Sequence, residues 1–142
     1  MTDCSSLPIV ESAFPGLLRE QLLAAILDGS KTSTTPTLIE DEVENEELPR
    51  IGQRELVINS AGKGVAVIET TEVRQAKLAN VDLQHVIDEG EDYTTVAQWR
   101  AGHEEFWHSP DMRKAMGDPK FTVDDDTILV LQRFRVIAKL ES

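Results

Sequence analysis

Hydrophobic residues recur at every fourth position near the start of the chain, at Leu18, Leu22 and Ile26. This spacing indicates one face of an amphipathic helix of about three turns, with Arg19 to Gln21 on the hydrated side. Asp28-Gly29 is typical of a helix end, because glycine readily takes the left-handed conformation that stops a helix. We therefore predict a core-packing helix that ends at this dipeptide.

Alternating apolar and polar residues predict three strands further along the chain. A short strand is expected at Glu55 to Ile58, followed by hairpin residues that include asparagine and glycine. A second strand, buried at its start and more hydrated at its end, is expected at Val65 to Val73. Thr127 to Leu140 alternates strongly, which predicts a long and central strand.

Helical patterns lie between the last two strands. Ala76 to Val86 is expected to be a connection that becomes a short helix. Thr94 or Thr95 can cap a second helix, which continues through Trp107. Ser109 to Phe121 contains two prolines and little helical signal, so we expect it to be irregular.

The order of these elements is helix, strands, helix and final strand. This order favours an α+β fold in which a small, strongly bent sheet or barrel packs with helices. The sequence shows no internal repeat and no linker, so we expect residues 1–13 to be a lead-in and residues 14–142 to form one domain. With 142 residues, 40% of them hydrophobic, the chain is long enough for one core.

The balance of charge limits the partners. The chain has 14 Lys and Arg against 26 Asp and Glu, a net charge of −12. Long nucleic acid is held by neutralising its phosphates, so we expect no long double-stranded nucleic acid as a partner. A nucleoside or a short single strand is compatible with one positive cleft. Six of the eight residues from Glu40 to Glu47 are acidic, and this run is expected to be a solvated loop rather than a metal site.

Cys4 is the only cysteine, which excludes a disulfide within the chain and a cysteine-based metal site. The longest apolar run, Leu22 to Leu27, is far shorter than a membrane span, so no membrane partner is expected. The N-terminus shows no signal peptide pattern. From these features we expect a cytoplasmic protein.

A hydroxyl-rich stretch follows the first predicted helix. Six of the eight residues from Ser30 to Thr37 carry a hydroxyl, and Lys31 lies among them. Pro36 prevents a helix through this stretch, which predicts a turn and the start of a strand. A lysine beside several hydroxyls can hold a phosphate, polarise a carbonyl group or activate a nucleophile.

Several separate segments resemble signatures of the ASCH domain family. Gly29-Ser30-Lys31-Thr32-Ser33-Thr34 after an amphipathic helix is similar to one signature, and Leu48-Pro49-Arg50-Ile51-Gly52 before a strand is similar to another. Glu89-Gly90-Glu91, followed by Trp99-Arg100 and by His103 to Phe106, resembles a signature of the longer bacterial members. The resemblance extends from about Phe14 to Leu140, and it is the order and spacing of the segments that make it specific.

The resemblance implies a PUA-like β-barrel flanked by α-helices. Members of the family are associated with RNA binding, with ribonuclease activity and with removal of acyl groups from the exocyclic amine of cytidine. In the amidohydrolase members a lysine, a threonine three residues later and a more distant glutamate act together. Here these correspond to Lys31, Thr34 and Glu91 as catalytic residues, with Glu89 as the rival carboxylate.

The expected reaction is hydrolysis of the amide on an acylated cytidine-type nucleoside, without a cofactor. Amide hydrolysis needs an activated nucleophile, a stabilised oxyanion and a proton for the leaving amine. Lys31 would be the base if its pKa were strongly lowered, and otherwise would stabilise the oxyanion. The residues expected to contact the substrate are Ser33, Thr35, Glu89, Tyr93, Trp99, Arg100 and His103.

Each of these residues also has a structural interpretation. Lys31 can cap the carbonyl groups that end the first helix, Thr34 can be an ordinary strand residue, and Glu91 can be a solvated carboxylate. Trp99 and His103 share one helix face, which core packing alone also produces. The alternative function is an RNA-binding protein or a ribonuclease acting on single-stranded RNA, for which a divalent ion such as manganese would be needed. A third alternative is a protein-interaction domain.

Overall fold

The computed structural model describes residues 7, 9–11, 14–44 and 48–140. Cys4 and the end of the acidic run, residues 45–47, lie outside this part of the chain. The elements in chain order are β1 (Ile9–Glu11), α1 (Leu17–Asp28), β2 (Ser33–Thr34), α2 (Leu38–Glu44), β3 (Arg54–Ile58), β4 (Gly64–Lys77), a 3₁₀ turn (Leu78–Asn80), α3 (Leu83–Asp88), α4 (Val96–Trp107), α5 (Pro110–Met116) and β5 (Ile128–Lys139). In this part of the chain no helix is both long enough and apolar enough to cross a membrane.

One mixed sheet organises the fold. Its strand order is β1-β3-β4-β5-β2, with β1 parallel to β3 and every other pair antiparallel. The long pair of β4 and β5 shows register shifts near Val67 and Thr70, and such bulges bend and twist strands. The α+β prediction is therefore confirmed. The pairings among the described strands are open at both edges, so closure into a barrel stays a prediction.

The three strands predicted from alternation are present, and two of them are longer than expected. The start of β4, Val65 to Ile68, is buried on both faces, whereas Thr71 and Glu72 further along are exposed. β5 pairs with β4 on one side and with β2 on the other, which gives it an interior place in the sheet. The segment expected to be a lead-in also contributes, since β1 extends the sheet beside β3.

The acidic run was predicted as a loop, but its described part is helical in α2. Thr37 and Glu40 form a reciprocal cap at the start of this helix. The Glu40 carboxylate accepts from the Thr37 backbone N–H, and the Thr37 hydroxyl accepts from the Glu40 N–H. This capping box satisfies amide groups that the first turn leaves unpaired, which explains how a self-repelling sequence starts a helix.

The prediction of an irregular segment at Ser109 to Phe121 was also wrong for its first half, which forms α5. Ser109 caps this helix by accepting from the Met112 N–H, and Pro110 occupies the first turn, where a missing N–H costs nothing. Gly117 ends the helix with a φ of 69°. The prolines therefore mark the boundaries of a helix rather than its absence.

The buried face of α1 is rotated from the predicted one. Arg19, expected on the hydrated side, is buried together with Leu23 and Ile26, while Leu18 is exposed. The Arg19 guanidinium donates to the backbone carbonyl of Asn59 in the hairpin, so its charge lies against a polar acceptor. Long basic side chains can bury their stems in this way when the charged end finds an acceptor.

Candidate active site

The Lys31 loop leads from α1 into the edge strand β2. The Lys31 N–H donates to the Ala25 carbonyl oxygen at 3.0 Å, which closes the end of the helix, and Ser33 then pairs with Arg133 of β5. Burial alternates strictly along this loop, with four buried side chains separated by half-buried ones. The buried side chains belong to Lys31, Ser33, Thr35 and Thr37. The loop therefore presents one lysine and three hydroxyl groups to the interior.

The end of α3 and the turn after it pack directly against this loop. The Thr32 N–H donates to the Asp88 carbonyl oxygen at 2.6 Å, and the buried Ser33 hydroxyl donates to the His85 carbonyl oxygen at 3.1 Å. Gly90 has a φ of 68°, and a Cβ on it would lie 2.5 Å from the Ser30 carbonyl oxygen. Only glycine permits this approach, which brings Glu89 up to Lys31.

Glu89 is the centre of the site, with only 2% of its side chain exposed. One carboxylate oxygen, Oε2, accepts from the Trp99 indole N–H and, at 3.1 Å, from the Thr35 hydroxyl. The other oxygen, Oε1, lies 3.2 Å from His103 Nε2 and 3.7 Å from Lys31 Nζ. Both oxygens are thus held by groups from two separate elements, the Lys31 loop and α4.

Burial by itself would raise the pKa of the Glu89 carboxyl group. The hydrogen bond from His103, the charges of Lys31 and His103 and the Trp99 hydrogen bond outweigh that effect and lower the pKa to about 2. Glu89 is therefore ionised at neutral pH, which is the behaviour of a carboxylate that accepts several hydrogen bonds.

Glu91 behaves in the opposite way. Burial, and next the negative charge of Glu89, raise its pKa, although the charges of Lys31 and His103 act against this. Its side chain is 21% exposed, more than that of Glu89, and its Oε2 lies 3.9 Å from His103 Nε2. The pKa values of these neighbouring carboxyl groups are shifted in opposite directions. In such an arrangement one group can stay charged while the other gains and loses a proton.

His103, on α4, lies close to both carboxyl groups. Its Nδ1 lies 3.0 Å from the Trp99 carbonyl oxygen, which can only accept, so this nitrogen carries a proton. Burial lowers the pKa of His103, but the hydrogen bond to Glu89 and the charges of Glu89 and Glu91 outweigh it and raise the pKa. The His103 ring therefore stays doubly protonated, and able to donate to Glu89 through Nε2, up to a higher pH than a free histidine would.

Family and structural comparisons agree with the resemblance noted in the sequence. The ASCH domain model matches residues 12–138, most of the chain. The chain is a member of the ASCH domain family. No curated protein matches this ASCH chain.

Solved structures share its fold. A protein from Enterococcus faecalis assigned to family DUF984 has a TM-score of 0.80 at 23% identity, over 95% of this chain and 78% of that one. An ASCH domain from Lactobacillus crispatus has a TM-score of 0.74 at 24% identity, over 91% and 79%. A mutant ASCH protein from Zymomonas mobilis has a TM-score of 0.51 at 11% identity, over 94% and 73%. At these identities the likeness concerns the fold alone.

The ASCH chain does not bring every predicted site residue to this cluster. Thr34 is the second residue of β2 and lies between the buried Ser33 and Thr35. Because side chains alternate along an extended segment, its side chain points away from the buried face of the loop. Thr35 is the threonine that contacts Glu89. Arg100 pairs instead with Glu104 at 2.5 Å and with Asp125 at 2.6 Å, beside the turn that precedes β5.

The two aromatic residues predicted to bind substrate have different environments. Trp99 is completely buried, stacked on His103 with ring centroids 4.3 Å apart, so any role it has acts through its hydrogen bond to Glu89. Tyr93 is half-buried at the edge of the cluster, 6.3 Å from the His103 ring, and burial followed by the charge of Glu91 raises its pKa. Tyr93 rests on Gly102 of α4, where a Cβ would overlap its hydroxyl.

Sequence reasoning missed His85, which is fully buried on α3. Its Nε2 lies 2.6 Å from the Thr35 hydroxyl oxygen, while its Nδ1 is a buried atom with no hydrogen-bond partner among the described residues. Burial lowers its pKa, so the ring is neutral. A buried polar atom without a partner costs about 1–3 kcal/mol. The only sequence signal is that His85 lies in the segment predicted to become a short helix, next to the apolar Val86.

Gly90 offers a direct test of how the site is assembled. We expect Gly90→Ala to lower the free energy of unfolding by about 1–3 kcal/mol more than Gly117→Ala, because the new Cβ must displace the Ser30 backbone. Gly117 is a matched control, because its φ of 69° is nearly that of Gly90, 68°, and a Cβ added to it would meet no atom within 4 Å. Urea unfolding of both variants measures the difference, and equal losses would contradict the close approach.

Proposed function

We propose that this ASCH protein hydrolyses the amide of an N4-acylated cytidine-type nucleoside. The observation that carries the proposal is the cluster in which an ionised, buried Glu89 faces Lys31 and His103 while Glu91 beside it has a raised pKa. The acidic surface supports a small substrate rather than a long polyanion. The half-buried Tyr93 ring lies beside His103 at the edge of the cluster and offers a surface for stacking a pyrimidine.

In this proposal Lys31 stabilises the oxyanion. Its Nζ donates to the Ser33 carbonyl oxygen at 2.8 Å, and its other contacts are longer, 3.4 Å to the Glu89 carbonyl oxygen and 3.7 Å to the Glu89 carboxylate. All three partners are acceptors, which fits an ammonium group. The N–H groups of Lys31 that make the two longer contacts can turn instead to the acyl oxygen and donate to the negative charge that develops there.

Glu91 moves the proton. A water molecule attacks the acyl carbon, and Glu91 accepts its proton as the new C–O bond forms. Glu91 then gives that proton to N4 as the C–N bond breaks, which releases cytidine and a carboxylic acid that loses its remaining proton to solvent. Glu91 suits this role because its pKa is raised and its side chain lies at the more exposed edge of the cluster. Glu89 keeps its charge throughout and holds Lys31 and His103 in place.

The test is turnover of N4-acetylcytidine by the wild-type protein, followed through the ultraviolet shift and by detection of acetate. We expect cytidine and acetate in equal amounts, at the same rate with and without a chelator. Failure to form either product would contradict the proposal, whereas cytidine formed only after metal is added would contradict the cofactor-free mechanism.

The proton-carrier role predicts a definite pH dependence. Since Glu91 must be deprotonated to accept a proton, kcat/KM is expected to fall as the pH drops through its raised pKa, which lies above 4.5. Glu91→Gln is expected to lower kcat/KM by about a hundredfold or more, the usual size of a lost acid–base catalyst. Glu105→Gln, an exposed neighbour on α4, is the control and should behave as wild type. An unchanged acid limb in Glu91→Gln would contradict the assignment.

A metal-dependent ribonuclease is the second candidate, favoured by one observation. Ligand atoms of Glu89, Glu91 and His103 all lie within 4.8 Å of one another, and His103 is oriented through Nδ1. Two carboxylates and an oriented imidazole suit a divalent ion such as manganese, which would bind RNA phosphate and polarise it. Lys31 already lies near Glu89 Oε1, however, and would compete with the ion.

Cleavage of a short single-stranded RNA decides between the candidates. The ribonuclease requires cleavage that manganese supports, that a chelator stops and that His103→Gln abolishes. The hydrolase proposal instead expects no manganese-dependent cleavage. RNA cleavage by a wild type that leaves acetylcytidine intact would overturn the first proposal in favour of the second.

A further inference from the structure

His85, Thr35 and Glu89 form a continuous buried chain of hydrogen bonds. His85 Nε2 lies 2.6 Å from Thr35 Oγ1, and the same hydroxyl donates to Glu89 Oε2 at 3.1 Å. All three side chains are at most 7% exposed. The chain joins the interior of α3 to the carboxylate that faces Lys31.

The donors and acceptors in this chain fix where each proton lies. The Thr35 hydroxyl has a single proton, and the ionised Glu89 carboxylate can only accept it. The short contact between Thr35 Oγ1 and His85 Nε2 then requires a proton on the histidine nitrogen. His85 is therefore the neutral Nε2–H tautomer, and its bare Nδ1 is the nitrogen that has no partner among the described residues.

We infer that His85 is a positioning residue, which sets the direction of the Thr35 hydroxyl and thereby holds the Glu89 carboxylate against Lys31 and His103. A threonine hydroxyl proton rotates to suit the acceptors and donors around it. His85 supplies the donor, so the Thr35 proton has one remaining target. An unpartnered buried acceptor such as His85 Nδ1 needs an explanation. Here it is the consequence of placing the single ring proton on Nε2, where it is donated to Thr35.

The inference has a test that does not depend on the proposed function. In ¹⁵N-labelled protein, the ring nitrogens of His85 are expected to show the Nε2–H tautomer with an unprotonated Nδ1 at neutral pH. A proton on Nδ1, alone or in an imidazolium, would overturn the inference. This measurement needs no substrate. If the wild type were inactive, the proposed hydrolysis would be contradicted, but the tautomer of His85 would still test the inference.

The activity test rests on the proposed function. His85→Leu and Thr35→Val are each expected to lower kcat for acetylcytidine about tenfold with little change in KM, and the double variant should lose no more than either single one. His85→Gln should recover most of the activity, because its amide places an N–H donor near the position of Nε2. Gln84→Leu, an exposed neighbour on α3, is the control. Equal loss in the Gln and Leu variants, or full activity in His85→Leu, would overturn the inference.

Discussion

Lys31→Met is expected to lower the rate of N4-acetylcytidine hydrolysis by at least about a hundredfold, because loss of one group that stabilises an oxyanion typically costs that much. Methionine keeps the length and much of the volume of the side chain, so the substitution removes the charge and the donors rather than creating a large cavity. The measurement is the steady-state rate of the purified variant beside wild type. Lys63→Met, at an exposed lysine of the hairpin before β4, is the control and should hydrolyse normally.

A second variant separates loss of chemistry from loss of fold. Lys31→Met removes one of the two cationic partners of the buried Glu89, and breaking a buried ion pair is expected to cost about 3–5 kcal/mol of stability. Adding Glu89→Gln removes the buried charge, so the double variant should recover stability but not activity. Recovery of both would show that Lys31 supports only the fold, and normal turnover by the single variant would contradict the oxyanion role.

Glu89 is expected to dominate the acid side of the stability profile. Its pKa is about 2 in the folded protein, below the ordinary value of 4.5, so its contribution is present above 4.5 and is lost as the pH falls towards 2. A difference of this size corresponds to about 3 kcal/mol. Glu91 and His103 act oppositely, since their raised pKa values favour protonated forms in the folded state. The contribution of His103 is present below its ordinary value of 6.5 and is lost as the pH rises through its raised pKa.

Glu89 and His103 together predict high stability between about pH 4.5 and 6.5, with a decline on each side. Within that window Glu91, whose raised pKa favours lower pH, and His85, whose lowered pKa favours higher pH, act in opposite directions. Urea unfolding across the pH range measures the profile. Glu89→Gln should be less stable than wild type near neutral pH and should lose the decline below pH 4.5, while Glu105→Gln should retain it. A decline that persists unchanged in Glu89→Gln would mean that other carboxyl groups produce it.

Much of the fold follows from local patterns in the sequence. The alternation in Glu55 to Ile58 and in Thr127 to Leu140 predicted β3 and β5, since strand period and burial reflect the same side-chain geometry. The capped helix α4 begins after Thr95 for the reason the sequence suggested, because this side chain accepts from the Gln98 N–H. These elements depend on neighbours in the chain and are therefore visible without a structure.

Two helices, α2 and α5, were missed because the overall composition of each segment was given more weight than the capping residues at its ends. Thr37 and Glu40 carry a capping box, yet the surrounding negative charge suggested a loop. Ser109, Pro110 and Gly117 likewise mark the ends of α5, although two prolines suggested irregular structure.

Other features could not be predicted from the sequence. The rotation of α1 that buries Arg19 depends on a carbonyl acceptor 40 positions away, at Asn59, and no local pattern reports it. The choice between Glu89 and Glu91 likewise depends on the turn at Gly90, which directs one carboxylate to Lys31 and leaves the other at the edge. His85 was missed because its partner Thr35 lies 50 positions away.

The separate roles of the two carboxyl groups are the central claim, and ¹³C NMR titration of the Glu89 and Glu91 side-chain carboxyl carbons tests it most directly. We predict that Glu89 titrates well below 4.5 and Glu91 above it in the folded protein. Such a result would support a fixed anion beside Lys31 and a separate proton carrier. The opposite order would contradict this account, since Glu91 would then be the fixed charge and Glu89 the proton carrier.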